Sequence, residues 1–338
     1  MRAVVFLGER ELDLEEFPDP TPGTGEVVLE IKASGMCGTD LHRYRGPKVD
    51  QHLIAGHEPC GVVVAVGAGV PPSQASVGNR VMVHHYDGCG ACKHCVEGWT
   101  QMCNDGSTVY GGKNGHGAHA PYMKVPAHTL VKLPEEITFK SGAAISCGTG
   151  TAFGALKRLE LAGDETLVVF GQGPVGLSAT LLAKEMGARV IAVDPQADRR
   201  SLATGFGADY TLDPTAVDVS EAIRELTNGL GAHKSVECSS NSGARTQSVD
   251  CLRKWGAACM VGVNGEITVP ISDLIHKQTR ILGSWTFSKT GQAECAQFIL
   301  ERGIDTDQLF SHEFVLDDAV SAYQLFDAQK MGKGVFLF

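Results

Sequence analysis

Short runs of apolar residues, separated by turn residues, occupy the first part of the chain. The runs EVVLEIKASG (26–35), GVVVAVG (61–67) and NRVMVHHY (79–86) are rich in β-branched residues and read as strands. Glycine, proline and aspartate between these runs favour tight turns. The pattern predicts a β-rich, barrel-like unit that ends near residue 145.

Beyond this unit the apolar pattern changes, because short β-branched runs now alternate with amphipathic segments of helical length. This alternation is typical of βαβ units, in which helices connect parallel strands. A strand is predicted in each of six segments: 166–170, 189–193, 209–212, 234–238, 256–262 and 280–285. Together they predict an α/β protein with a doubly wound parallel sheet.

The last part of the chain returns to a mixed pattern. Two helices are predicted, around 289–302 and 317–329, followed by a strand, KGVFLF, that we expect to rejoin the first unit. The predicted domains are therefore a β-rich one, from residues 1–145 and 286–338, and a parallel-sheet one, from residues 146–285.

The composition is that of an ordinary globular chain of 338 residues, with 43% hydrophobic and 20% charged residues, long enough for two domains. Acidic residues outnumber basic ones, 39 to 29, and a net charge of -10 disfavours a nucleic-acid partner. No apolar run approaches the roughly 18 residues of a membrane span, and the N-terminal residues do not resemble a secretory signal. We therefore expect no membrane partner and a cytoplasmic location.

Four cysteines lie close together in DGCGACKHCVEGWTQMC (87–103). The chain has 11 cysteines, an odd number, and without an export signal a reducing compartment argues against a disulfide framework. Four thiolates at these spacings suit one tetrahedral zinc ion, although an iron–sulfur cluster or unrelated core thiols would also use cysteines. The predicted zinc ligands are Cys89, Cys92, Cys95 and Cys103. Five other cysteines lie mainly in apolar runs and are predicted core residues: Cys60, Cys238, Cys251, Cys259 and Cys295.

A glycine-rich motif, GQGPVG, follows the first predicted parallel strand and begins a predicted helix. In this context G-x-G-x-x-G predicts a dinucleotide site, because glycines allow a tight turn and a close approach of the pyrophosphate to a helix N-terminus. The predicted cofactor-binding residues of the motif are Gly171, Gly173, Pro174, Val175 and Gly176.

An acidic residue, Asp194, closes the next predicted strand. Its carboxylate can accept hydrogen bonds from the adenosine ribose and would repel a 2'-phosphate, which favours NAD over NADP. Arg199 and Arg200 follow it and could bind such a phosphate, contact the ribose or lie on a solvated helix face. The sequence therefore predicts NAD as the cofactor.

The order of several motifs resembles the zinc-containing alcohol dehydrogenases of the medium-chain dehydrogenase/reductase superfamily. The motifs are CGTDLH (37–42), GHEPCGVVVAVGAG (56–69), the four-cysteine segment, ISCGTGTAFGAL (145–156) and GQGPVG (171–176). The resemblance spans essentially the whole chain. It implies a GroES-like, β-rich catalytic domain, a Rossmann domain, and hydride transfer between an alcohol and NAD.

The resemblance also implies two zinc ions. A catalytic ion would be held by Cys37, His57 and Cys147, with a fourth position open to water or an alcohol oxygen. Glu58 would lie close to this metal as an outer partner or transient ligand, unless it is a buried carboxylate paired within the fold. The four-cysteine segment would hold the second ion, which is structural.

Further roles follow from the same resemblance. Thr39 and His42 match a proton relay that runs through the nicotinamide ribose, or His42 is a bystander. Cofactor contacts are implied for Thr151 at the nicotinamide, for Val263 and Ser284 at its carboxamide, and for Lys333 near the pyrophosphate.

Two features leave the alcohol unspecified. Gly38 occupies a position that is basic in liver-type enzymes and glycine in polyol dehydrogenases. Polyol dehydrogenases, however, usually have glutamate at the position where this chain has Cys147. The resemblance favours a homodimer or homotetramer. The alternative function is a zinc-stabilised dinucleotide sensor without turnover, which would have no use for the relay residues Thr39 and His42.

Overall fold

The computed structural model describes residues 1–329 and 332–338, which form two compact units. The first unit comprises Met1–Gly150 and Ser288–Phe338, and the second comprises Thr151–Phe287. The second unit is thus inserted between two parts of the first along the chain.

The described strands, in chain order, are β1 (Arg2–Gly8), β2 (Glu11–Glu16), β3 (Glu26–Gly35), β4 (Glu58–Val66), β5 (Arg80–Val83), β6 (Tyr86–Asp87), β7 (Thr108–Val109), β8 (Tyr122–Pro126), β9 (Leu130–Lys132), β10 (Thr166–Phe170), β11 (Arg189–Val193), β12 (Tyr210–Leu212), β13 (Ala232–Glu237), β14 (Leu252–Met260), β15 (Arg280–Gly283), β16 (Phe310–Phe314) and β17 (Lys333–Leu337). The described helices are α1 (Asp40–Tyr44), α2 (Lys93–Val96), α3 (Phe139–Ile145), α4 (Gly148–Arg158), α5 (Pro174–Glu185), α6 (Ala197–Gly205), α7 (Val219–Leu226), α8 (Ser242–Asp250), α9 (Ile271–Lys277), α10 (Lys289–Arg302) and α11 (Ala319–Asp327).

The first unit is organised around β3, which pairs antiparallel with β4, β8 and β17. The sheet has the order β16-β17-β3-β4-β5-β9, with β8 also paired to β3. Along β3 the alternate residues Val27, Leu29 and Ile31 are wholly buried, as expected for a strand with one face in the core. The terminal strand β17 returns to this sheet, where Val335 lies opposite Gly35.

Two helices of the first unit begin at hydroxyl caps. The Thr138 side chain accepts a hydrogen bond from the Ser141 amide at the start of α3, and Ser288 accepts one from Gly291 at the start of α10. Helix α10 ends at Gly303, which has a left-handed φ of 62°. These local signals explain where both helices start and where α10 ends.

The second unit confirms the predicted parallel sheet. Its strands are all parallel, in the order β12-β11-β10-β13-β14-β15. This is the order of a Rossmann fold, which reverses direction between β10 and β13 and binds dinucleotides at the carboxyl ends of these strands. Strand β10 is buried along its whole length, as a central strand with helices on both faces must be.

None of the described helices is long and apolar enough to cross a bilayer.

Candidate active site

A buried cluster in the first unit contains Cys37, His57, Glu58 and Cys147. One possible ligand atom from each of the four side chains lies within 4.8 Å of the others. Cys37 lies between β3 and α1, His57 and Glu58 lie at the start of β4, and Cys147 lies between α3 and α4. Residues far apart in the chain therefore converge because β3 and β4 are neighbours in the sheet and α3 packs against both strands.

The two sulfur atoms of this cluster have the spacing of ligands that share a metal. Sγ of Cys37 lies 3.8 Å from Sγ of Cys147. Two thiolates bound to one tetrahedral zinc ion at about 2.3 Å would be about 3.8 Å apart, whereas a disulfide would bring them to about 2.05 Å. A zinc ion thus fits between these side chains.

An unpartnered carboxylate oxygen also fits a nearby cation. Glu58 is wholly buried, and its Oε1 has no hydrogen-bond partner among the described residues. Its other oxygen forms an ion pair with Lys333, whose Nζ also lies 3.3 Å from the Met36 carbonyl. Burial raises the pKa of Glu58 to about 8 although the charge of Lys333 opposes this. The structure therefore places Lys333, which we expected near the pyrophosphate, against Glu58.

A carboxylate that the sequence reasoning did not consider, Asp40, holds two of the candidate ligands. Its Oδ1 lies 2.9 Å from Nδ1 of His57, and its Oδ2 accepts a hydrogen bond of 2.9 Å from the Cys37 amide. Because Asp40 occupies Nδ1, the His57 ring has Nε2 available for a metal. The signal in the sequence was a carboxylate three residues after Cys37 in CGTDLH.

The electrostatics of the cluster suit metal binding. A hydrogen bond with Cys147 outweighs burial and holds the pKa of Cys37 well below its usual value, whereas this contact and burial together raise that of Cys147. Burial alone would lower the pKa of His57, but the charges and hydrogen bonds of Asp40 and Cys37 together outweigh it and raise that pKa. A divalent cation would replace the proton that Cys37 and Cys147 share in their hydrogen bond, and it would favour the thiolate form of both cysteines.

The two residues of the implied proton relay lie beside this cluster. Thr39 is exposed, and its Oγ1 lies 3.7 Å from Sγ of Cys37. His42 is exposed on α1, one helical turn further on, and its amide donates to the Thr39 carbonyl. No hydrogen bond joins the two side chains within the described residues.

The four-cysteine segment also folds so that its four sulfur atoms are close enough together to bind one metal ion. One sulfur from each of Cys89, Cys92, Cys95 and Cys103 lies within 4.8 Å of the others. Backbone amides point at the sulfurs, with the Cys89 amide 3.3 Å from Sγ of Cys103 and the Cys92 amide 3.3 Å from Sγ of Cys89. Amides of Asn104 and Cys95 lower the pKa of the Cys92 thiol to about 6, whereas burial raises that of Cys95 to about 12, so a bound cation would be needed to hold all four as thiolates.

The three motif glycines of the second unit have three different structural roles. Gly171 has a φ of +84°, and Gly176 lies so close to Gly171 that a Cβ there would be 1.7 Å from its carbonyl oxygen. At Gly173 a Cβ would meet no atom within 4 Å, so the space in front of the turn is open. Helix α5 begins here, with Pro174 and Val175 in its first turn and no side-chain cap on its N-terminal amides. The turn therefore fits a pyrophosphate.

Asp194 lies at the end of β11, next to this turn, and is 2% exposed. Its carboxylate accepts hydrogen bonds from the amides of Gln172, at 2.7 Å, and Gln196, at 2.8 Å. Arg199 approaches the same carboxylate to 3.9 Å. The Arg200 guanidinium instead donates to two backbone carbonyls and forms a 3.0 Å ion pair with Asp213. These contacts occupy the guanidinium, so it is not available to bind a phosphate.

The remaining candidates for cofactor contact lie in three places. Thr151 is buried on α4, and Val263 is 77% exposed after β14. The Ser284 amide donates to the Met260 carbonyl at 2.9 Å, so its backbone offers a carbonyl rather than an amide to a ligand.

Comparison with known proteins gives matches over the whole chain. Residues 23–135 match the alcohol dehydrogenase GroES-like domain, and residues 174–302 match the zinc-binding dehydrogenase domain. An uncharacterized zinc-type alcohol dehydrogenase-like protein of Escherichia coli (strain K12) is 36% identical over 100% of this chain and 99% of its own length. A sorbitol dehydrogenase of Halalkalibacterium halodurans is 31% identical over 99% and 98%. A short chain alcohol dehydrogenase from E. coli CFT073, solved with NADH, has a TM-score of 0.91 and 25% identity over 100% of this chain and 99% of its own.

Proposed function

Since the chain belongs to the zinc-type alcohol dehydrogenases of the medium-chain dehydrogenase/reductase superfamily, a family of NAD-dependent enzymes, we propose that it reversibly transfers hydride between NAD and a primary or secondary alcohol. A polyol is included among the substrates because a sorbitol dehydrogenase is among the full-length relatives.

The first unit would serve as the catalytic domain. Cys37, His57 and Cys147 would hold the catalytic zinc ion, with Glu58 beside it. When bound, this zinc supplies a Lewis acid that polarises the alcohol oxygen. Asp40 orients the His57 ring through Nδ1, and burial of the whole cluster excludes the water that would compete with the alcohol.

The second unit would serve as the dinucleotide-binding domain. The open space at Gly173 and the uncapped amides of α5 support binding of the pyrophosphate. Asp194 would accept hydrogen bonds from the adenosine ribose and repel a 2'-phosphate, and the commitment of Arg200 to Asp213 removes one possible phosphate ligand. Both observations support NAD rather than NADP.

The proton of the alcohol would leave through Thr39 and His42. The Thr39 hydroxyl lies close to Cys37, where the alcohol oxygen would be, and His42 is exposed to solvent. An imidazole is suited to the outer step because it exchanges protons with water near neutral pH. The four-cysteine cluster would hold a structural zinc ion, whose closed shell leaves no position for a substrate.

The 3.8 Å separation of the two sulfurs is the observation that carries this proposal. It is tested by following absorbance at 340 nm with NAD or NADP and a panel of primary alcohols, secondary alcohols and polyols. The native protein should form NADH with at least one alcohol, and Cys147→Ser should form none. Tight NADH binding without NADH formation from any alcohol in the panel would favour the nucleotide sensor instead.

We also propose that the protein is a homodimer or homotetramer. Strand β15 is the edge of its sheet among the described residues, and α9, which precedes it in the chain and packs against β14, exposes Ile271 and Ile275. An edge strand flanked by exposed apolar residues is suited to pairing with a second copy. Light scattering coupled to size-exclusion chromatography measures the mass, and a monomer of 35.8 kDa would contradict this proposal.

A further inference from the structure

A chain of buried polar side chains extends from the metal cluster into the core of the first unit. Beyond Asp40, the chain continues through Tyr323, His119 and Ser34, each of them wholly buried. The Tyr323 hydroxyl lies 3.2 Å from Oδ2 of Asp40 and 2.7 Å from Nε2 of His119. Nδ1 of His119 lies 2.8 Å from Oγ of Ser34.

The positions of the hydrogens in this chain follow from its acceptors. A carboxylate only accepts, so the single Tyr323 proton must point at Asp40. The Tyr323 oxygen must then accept from Nε2 of His119, which makes Nε2 the protonated nitrogen of that ring. Burial lowers the pKa of His119 to about 4, so the ring is neutral and its Nδ1 accepts from Ser34.

Every donor in the chain therefore points toward the metal cluster. Ser34 donates to His119, His119 to Tyr323, and Tyr323 to Asp40. Hydrogen bonds aligned in this way polarise one another, and in a low-dielectric interior each one strengthens the next. This series of hydrogen bonds also connects three separate elements, since Ser34 lies on β3, Asp40 on α1 and Tyr323 on α11.

We propose that Ser34, His119 and Tyr323 are positioning residues for the catalytic zinc ion. They hold Asp40 as an anion aimed at Nδ1 of His57, so that Nε2 of the His57 ring faces the metal. This inference rests on the proposed function, because it assumes the zinc ion held by Cys37, His57 and Cys147. It adds partners that lie two, three and four hydrogen bonds away from the ligand His57.

The test is the rate at which the holoenzyme loses its zinc to an excess of a chromogenic chelator. The release phase that disappears in Cys147→Ser identifies the catalytic ion. Tyr323→Phe keeps the ring but removes the proton that Asp40 accepts, and it should speed this phase by about tenfold, the low end of the effect of outer metal partners. Ser34→Ala, which removes only the first donor, should speed it less.

The matched control is Thr306→Val. Thr306 is also wholly buried in the first unit, and its hydroxyl donates at 2.7 Å to Oγ of Ser141, whose own hydroxyl donates to Asp307 rather than to any residue of the metal cluster. The control should lower the melting temperature, as Tyr323→Phe should, but leave zinc release unchanged. A role in folding alone would make zinc release follow the melting temperature in both variants.

Three results separate the outcomes. Native release rates in both Tyr323→Phe and Ser34→Ala would overturn the inference, and so would equal acceleration in Thr306→Val. If Tyr323→Phe does not fold, Ser34→Ala alone decides by its release rate. A native protein that holds one zinc ion, released identically after Cys147→Ser, would instead contradict the proposed function.

Discussion

A methyl group added at Gly173 should prevent tight NADH binding without weakening the fold. Gly173 has φ -75° and ψ -172°, a conformation open to alanine, and its new Cβ would meet no atom within 4 Å. Gly173→Ala should therefore be close to neutral, because the gain of about 0.4–1 kcal/mol from restricting the unfolded chain is offset by the preference for glycine over alanine at a helix N-cap. The melting temperature should not fall.

The effect on binding is large because the open space is where a pyrophosphate would lie. A methyl carbon there would hold the phosphates away from the amides at the start of α5. Loss of one or two charge-assisted hydrogen bonds costs about 1.5–3 kcal/mol each. We therefore expect the Kd for NADH to rise by roughly a hundredfold, which corresponds to about 2.7 kcal/mol.

Two other glycines serve as controls. At Gly176 a Cβ would lie 1.7 Å from the Gly171 carbonyl oxygen, so Gly176→Ala must displace the backbone and should destabilise the protein by about 1–3 kcal/mol. At Gly205, the last residue of α6, a Cβ meets nothing within 4 Å, and Gly205→Ala should leave NADH binding unchanged without lowering stability. NADH fluorescence titration and thermal melts of the three variants distinguish these cases. Native NADH affinity in Gly173→Ala would refute the assignment of the cofactor turn.

Three further predictions concern specificity, the relay and the metals. The value of kcat/KM should be at least tenfold higher with NAD than with NADP, which corresponds to about 1.4 kcal/mol, and Asp194→Asn should reduce this ratio. Equal use of both cofactors by the native protein would contradict this prediction. His42→Gln should slow alcohol oxidation most below neutral pH, where hydroxide is scarce, and imidazole buffers should partly restore it; unchanged rates from about pH 6 to 9 would make His42 a bystander. Elemental analysis should find two zinc ions per chain. Cys147→Ser should lose turnover but keep NADH binding, whereas Cys95→Ser should lose stability first. A stable but inactive Cys95→Ser variant would reverse the assignment of the two zinc sites.

The parallel sheet was predictable because each of its strands carries its own local signal. Strands β10 and β11 have the predicted bounds, and each is a continuous β-branched or apolar run between turn residues. The β1–β2 hairpin was not predicted, because four of the six residues of β2 (ELDLEE) are acidic, which is unusual in a strand, and β2 has no wholly buried face. Short helices such as α1, with five residues, also lack a periodic signal.

The candidate site was predictable only where a short motif marks it. Cys37, His57 and Cys147 each lie in a recognisable motif, and the structure brings them together. The partners of these motifs lie far away in sequence, since Lys333 is 275 residues from Glu58 and Tyr323 is 283 residues from Asp40. Such pairs depend on which strands and helices become neighbours, and local patterns carry no information about that.

The insertion of the second unit into the first has a consequence for synthesis on the ribosome. All of Thr151–Phe287 emerges before Ser288–Phe338, so the parallel-sheet unit can fold while the first unit is still incomplete. Strand β17 then has to reach β3, and Lys333 has to neutralise Glu58, after most of the chain has been translated. Until then Glu58 and the two catalytic-site thiols have no finished interior around them, so the nascent chain would acquire its catalytic zinc late in translation or after release.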